Sequence, residues 1–91
     1  MPKSDIGLVG LAVMGQNLAL NMSDHGFRVN VYNRTWDKTR LFVEGPASNS
    51  LIKGSRELVE LVANLERPRK VLLMVRAGKV VDQVIGQLLP L

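Results

Sequence analysis

The sequence predicts an α/β fold: a doubly wound parallel sheet with helices on both faces. Three observations predict it. Residues 6–9, 27–32 and 70–75 form short runs rich in aliphatic side chains, with the length and apolar character of strands. The stretches between them place apolar residues at helical spacing. Two of the runs lead directly into glycine-bearing turns, at Gly10 and at Gly78.

The first strand, residues 6–9, is apolar or glycine throughout, as in a strand covered on both faces. It enters Gly10-Leu11-Ala12-Val13-Met14-Gly15, which is G-x-A-x-x-G. That is one step from the dinucleotide fingerprint G-x-G-x-x-G of Rossmann-like sheets. Gly10 permits the sharp turn, and the second fingerprint position must be small so that a pyrophosphate can approach the backbone. Ala12 stands there, so the phosphates sit slightly further out. Gly15 allows close helix–strand packing. The free N–H groups and positive dipole end of the following helix suit an anion. Two readings stand open at this point: a phosphate cradle of Gly10, Leu11, Ala12, Val13, Met14 and Gly15, or a tight turn without a ligand.

Met14, Leu18 and Met22 recur every four residues, with Ala19 beside Leu18, which predicts an amphipathic helix resting that stripe on the sheet. Gly26 is placed to end it in the left-handed conformation. His25, the single histidine, lies in the last turn and is assigned no chemistry. Phe27, Val29 and Val31 share one face of a second strand. Strand, helix and strand make the βαβ unit that the fingerprint requires as context.

At the end of that strand stands Asn33-Arg34-Thr35. An NAD site usually carries an acid about 20 residues beyond the glycine turn to bind the ribose 2′-hydroxyl. This chain offers Arg34 instead, whose guanidinium can grip a 2′-phosphate with paired hydrogen bonds, so the reading is NADP. Asn33 and Thr35 add neutral hydrogen bonds, and Lys38 and Arg40 add positive potential. The competing reading makes Arg34 a surface cation and Thr35 the N-cap of a helix over residues 36–44.

Residues 45–50 form a turn, and Leu51-Ile52 a short third strand at the sheet edge. Ser55 is the expected N-cap of a helix carrying Leu58, Leu61, Val62 and Leu65 on one face. Pro68 blocks continuation. Residues 71–75 then read as a buried parallel strand. Ligands lie at the carboxyl ends of strands in such sheets, so Val75, Arg76 and Ala77 are expected to face the same crevice as the glycine turn. A last helix with Val81, Val84, Ile85 and Leu88 on one face stops at Pro90.

The 91 residues make at most one domain, and 46% hydrophobic content excludes a disordered chain. There are no cysteines, hence no disulfide framework or thiolate chemistry. Neither a signal-peptide layout nor a run of membrane-spanning length is present, so a cytoplasmic protein without membrane attachment is expected. The net charge of +4 comes from twelve scattered Lys and Arg residues, and the few aromatics do not interleave with them. Nucleic acid is therefore not an expected partner. No metal-ligand cluster is apparent.

Three strand ends together carry a resemblance. Residues 7–21, the triplet Asn33-Arg34-Thr35, and the stretch from Arg67 through Val75-Arg76-Ala77-Gly78 to Val81-Asp82 resemble the decarboxylating 6-phosphogluconate dehydrogenases. The likeness spans essentially all 91 residues. Lysine is usual in that family where Arg76 stands here. The resemblance implies NADP as cofactor, bound by Gly10–Gly15, Asn33, Arg34, Thr35, Val75, Arg76 and Ala77. It implies oxidation of 6-phosphogluconate and decarboxylation to ribulose 5-phosphate in the pentose phosphate pathway, by a homodimer. The implied catalytic lysine and glutamate, further strands and a helical substrate domain lie outside these residues, so none of the present residues is assigned as catalytic. The chain is expected to be an N-terminal part that is marginally stable alone and incapable of turnover. The alternatives are another β-hydroxyacid dehydrogenase or imine reductase, or a non-catalytic NADP-sensing module.

Overall fold

The computed structural model describes residues 3–66 and 70–74. Seven elements follow in the order β1 (Ile6–Val9), α1 (Val13–Asp24), β2 (Val29–Tyr32), α2 (Trp36–Glu44), β3 (Ile52–Gly54), α3 (Leu58–Ala63) and β4 (Val71–Leu73). The four strands form one parallel sheet in the order β3-β2-β1-β4. The chain thus winds outward from β1 to β3, then crosses back to pair β4 with the other side of β1. That reversal puts a topological switch point between β1 and β4, where open α/β sheets place their ligands.

Alternation along the strands builds a core on each face. Leu8, Val29, Val31 and Ile52 pack with Leu11, Ala19, Phe42 and Ala47 beneath α1 and α2. Val9 packs with Leu58, Leu61, Val62 and Leu65 beneath α3. Gly7 faces α3 at a point where a Cβ would stand 2.7 Å from Leu61 Cδ2. The predicted doubly wound α/β sheet is therefore present, and the short edge strand is a paired element.

Four expectations are corrected. Helix α1 buries Gly15, Ala19 and Ser23, whereas Met14 is 74% exposed. The rest of the expected stripe holds: Ala19 lies in the core, and Leu18 and Met22 pack against it, partly buried; only at the helix start does Gly15 face the strand in place of Met14. Strand β2 begins at Val29, and Phe27 is exposed. Phe27 instead completes a Schellman motif: its N–H donates to Met22 O, and the Gly26 N–H donates to Ser23 O, with Gly26 at φ +91°. Ser55 does not cap α3, whose N-cap is Glu57. Its buried hydroxyl donates to the buried Asn30 Oδ1 at 2.6 Å, because an interior amide requires a partner. Residues 71–74 are half-buried rather than buried; among the described residues β4 pairs with β1 alone. The expected strand residue Val75 and the helix built on Val81, Val84, Ile85 and Leu88 lie outside the described residues.

Candidate functional site

The carboxyl end of β1 forms the centre of the site. Gly10 adopts φ +105°, a conformation that strongly favours glycine, and its N–H donates to Tyr32 O at 2.8 Å. The turn is thereby tied to the end of β2. Leu11 is fully buried in the core under α1, so it anchors the turn from below. Ala12 is the N-cap of α1, extended at φ −68° and ψ 174°, and exposed. Val13 and Met14 are also exposed. Gly15 is buried, and a Cβ there would overlap the carbonyl oxygen of Gly10. The fingerprint spacing thus has its mechanical cause: the helix starts too close to the strand for any other residue.

Among the described residues, the N–H groups of Ala12, Val13, Met14 and Gly15 make no hydrogen bond. Four unpaired donors at a helix start, next to the positive end of its dipole, form an anion-binding surface. No acidic side chain stands in the first turn of α1 to neutralise it.

The second group stands at the carboxyl end of β2. Asn33 Oδ1 accepts the Leu11 N–H at 2.9 Å, bringing the triplet against the glycine turn across 22 residues of sequence. Its own N–H donates to Thr39 Oγ1 at 3.1 Å, and Thr39 is fully buried in α2. Asn33 therefore acts first as a brace, with its side-chain NH2 still available as a donor. Arg34 and Thr35 are exposed beside it, and among the described residues Arg34 takes part in no ion pair. Thr35 occupies the N-cap position of α2, yet its hydroxyl makes no cap hydrogen bond. The expected contribution of Arg40 is reduced: its guanidinium lies 3.2 Å from Glu44 and 3.8 Å from Asp37, which balance its charge. Lys38 is exposed.

Strand β4 runs beside β1 to the same end of the sheet. The Met74 N–H donates to Val9 O at 2.7 Å, so the chain leaves β4 alongside Gly10. The three expected ligands beyond it, Val75, Arg76 and Ala77, lie outside the described residues.

Sequence reasoning missed several supports. Gln16 Nε2–H donates back to Leu11 O at 2.8 Å. Thr39 carries the Asn33 backbone, and the Arg56 guanidinium stacks 4.6 Å from the centroid of the Trp36 ring. None has a spacing signature, since each bond spans a turn whose path is set by the tertiary fold.

The opposite end of the sheet is locked separately. Asp5 Oδ2 accepts the Arg28 N–H at 2.8 Å, and Arg28 Nη2 stands 3.2 Å from Oδ1. Hydrogen bonds from the Arg28 side chain and then its backbone hold the Asp5 carboxyl below the usual carboxylate range. No group of three or more metal-ligating side chains occurs among the described residues.

Comparisons with known proteins converge on one family. A model of the NAD binding domain of 6-phosphogluconate dehydrogenase matches residues 5–91. The chain is 61% identical over 88 residues to a decarboxylating 6-phosphogluconate dehydrogenase of Haemophilus influenzae, covering 97% of this chain and 18% of the relative. It is 54% identical over 88 residues to the Candida albicans enzyme of the same name, covering 97% of this chain and 17% of that one. The structure of Plasmodium falciparum 6-phosphogluconate dehydrogenase, solved in its apo form, with its cofactor NADP+ and with its substrate 6-phosphogluconate, superposes with a TM-score of 0.84 at 47% identity. That match covers 94% of this chain and 19% of the other. The chain spans less than a fifth of the length of these relatives. Its sheet order, its glycine turn and these matches together show that the chain belongs to the family of NAD binding domains of 6-phosphogluconate dehydrogenase.

Proposed function

We infer that residues 1–91 form the N-terminal part of an NADP-binding Rossmann-like domain of a decarboxylating 6-phosphogluconate dehydrogenase. The whole protein, on this reading, oxidises 6-phosphogluconate with NADP and decarboxylates the product to ribulose 5-phosphate. It does so as a cytoplasmic homodimer in the pentose phosphate pathway. The observation that carries the cofactor reading is the Asn33–Leu11 hydrogen bond, which ties the segment of Arg34 to the start of α1, where, among the described residues, the arginine has no ion pair and four N–H groups have no partner.

The residues present fit NADP. The N–H groups of residues 12–15 would hold the pyrophosphate, with Ala12 small enough to admit it and Gly10 and Gly15 setting the turn and the helix–strand packing. Arg34, with Thr35 and the Asn33 amide, would hold the 2′-phosphate by charge-assisted hydrogen bonds. Val75, Arg76 and Ala77 are proposed as further contacts from the end of β4. When bound, NADP supplies a hydride acceptor. This chain's residues bind and orient it, while base and acid chemistry is assigned to residues outside the 91.

Trp36 follows the triplet directly and is the single tryptophan. Its fluorescence, followed during titration with NADP and separately with NAD, tests the reading. Saturation by NADP at concentrations well below those needed for NAD is expected. Equal affinities, or no binding by a folded sample, would overturn it.

A further inference from the structure

Leu11 is gripped on both sides. Its N–H, in the Gly10–Leu11 peptide, donates to Asn33 Oδ1 at 2.9 Å. Its carbonyl, in the Leu11–Ala12 peptide, accepts from Gln16 Nε2 at 2.8 Å. Two successive peptide planes are therefore fixed by side chains from different elements, one after β2 and one in the first turn of α1. The Leu11 side chain between them is fully buried and cannot swing.

The second grip has a specific consequence. A trans peptide is planar, and its C=O and N–H point in opposite directions. Holding the Leu11 carbonyl therefore also fixes the Ala12 N–H, the first of the four unpaired donors. Without the Gln16 amide, that plane could rotate and present a carbonyl oxygen where an N–H now stands. An oxygen dipole there would repel a phosphate. The backbone of Gln16 already belongs to α1, its N–H donating to Ala12 O at 3.0 Å, so its side chain starts from a rigid base.

The geometry points to Gln16 as a positioning residue for the pyrophosphate cradle: its side-chain amide sets the Leu11–Ala12 peptide so that the Ala12 N–H serves as a phosphate donor. This rests on the dinucleotide reading above and assigns the cradle a residue outside the G-x-A-x-x-G positions. The role concerns the pyrophosphate, which NADP and NAD share. It does not concern the 2′-phosphate, which is the province of Arg34.

Gln16→Met removes the donor and keeps the chain length; Gln16→Ala serves as a second variant that introduces no bulk into α1. Each is compared with the parent chain in two ways. NMR without ligand reads the Ala12 amide, in the peptide plane that Gln16 holds; its resonance is expected to broaden in both variants as that plane gains freedom, while Leu11, whose N–H Asn33 holds, and Leu8 in β1 are unchanged. Titrations with NADP, NAD and adenosine 2′-monophosphate read the cradle. Weakening of NADP and NAD by the same factor, about tenfold at the upper end for one hydrogen bond, is expected. Adenosine 2′-monophosphate, which lacks the pyrophosphate, is expected to bind the variants and the parent alike. Unchanged NADP affinity, or equal loss for all three ligands, would overturn the proposal. Should the parent chain bind none of them, the dinucleotide reading falls. The Ala12 resonance then decides the clamp alone: an unbroadened signal in both variants rejects it, and broadening retains it.

Discussion

Gly15 and Gly26 show how differently two glycines can be required. A methyl group on Gly15 would meet the Gly10 carbonyl oxygen, which is backbone and cannot step aside. Gly15→Ala must push α1 off β1, and a loss of about 1–3 kcal/mol in urea unfolding is expected, as for other overpacked sites. The same shift displaces the donors of residues 12–15, so NADP affinity falls with it. Gly26 has open space around it and needs only its positive φ. Gly26→Ala is expected to cost about 1–2 kcal/mol from left-handed strain alone, with NADP binding unchanged. Loss of binding without loss of stability in Gly15→Ala, or any loss of binding in Gly26→Ala, would contradict these assignments.

At the level of elements, the strands, their parallel pairing and the glycine turn were legible because each rests on local chemistry. Aliphatic runs, a left-handed glycine and a small residue at a fixed offset all appear in sequence. The facing of α1 was legible at Leu18, Ala19 and Met22, which pack toward the core, and not at Met14. Its methionine stripe marks hydrophobicity, but the depth of the sheet contact is set by Gly15 and Ala19, whose smallness decides which face can come closest. Ser55 misled for a related reason: a serine before a helical pattern resembles a cap, whereas the demand for its hydroxyl comes from Asn30 on a strand 25 residues away. The triplet was found through its residue types, yet Asn33's bracing of Leu11 could be seen only once β1 and β2 were adjacent.

The β1 and β2 starts also carry the fold's clearest pH dependence. The folded-state pKa of Asp5 is lowered from 3.8 by Arg28, so the folded form binds its proton more weakly than the unfolded form. The pair's contribution is fully present above the unfolded value and is lost as pH falls through the lowered folded one. Urea unfolding of the parent chain and Asp5→Asn is expected to show a constant gap from neutrality to about pH 5 that narrows below pH 4. A gap that persists unchanged in strong acid would contradict the assignment.

Taken as a whole, the molecule places the glycine turn, the Asn33-Arg34-Thr35 triplet and the end of β4 at one end of a four-stranded sheet. On the proposed reading this site holds a dinucleotide, and the base and acid of the reaction are assigned to residues outside the 91. The 91-residue chain is therefore expected to produce no NADPH from 6-phosphogluconate and NADP. Absorbance at the nicotinamide band checks this, and measurable turnover would contradict it.

In the proposed site Arg34 reads the 2′-phosphate while the glycine turn holds the part common to both cofactors. The most direct test is the ratio of NAD to NADP dissociation constants, measured by Trp36 fluorescence in the parent chain and in Arg34→Gln. A charged hydrogen bond contributes about 1.5–3 kcal/mol, so the parent ratio should exceed that of Arg34→Gln by roughly ten- to a hundredfold, with NAD affinity little changed. The same ratio in both proteins would contradict the account.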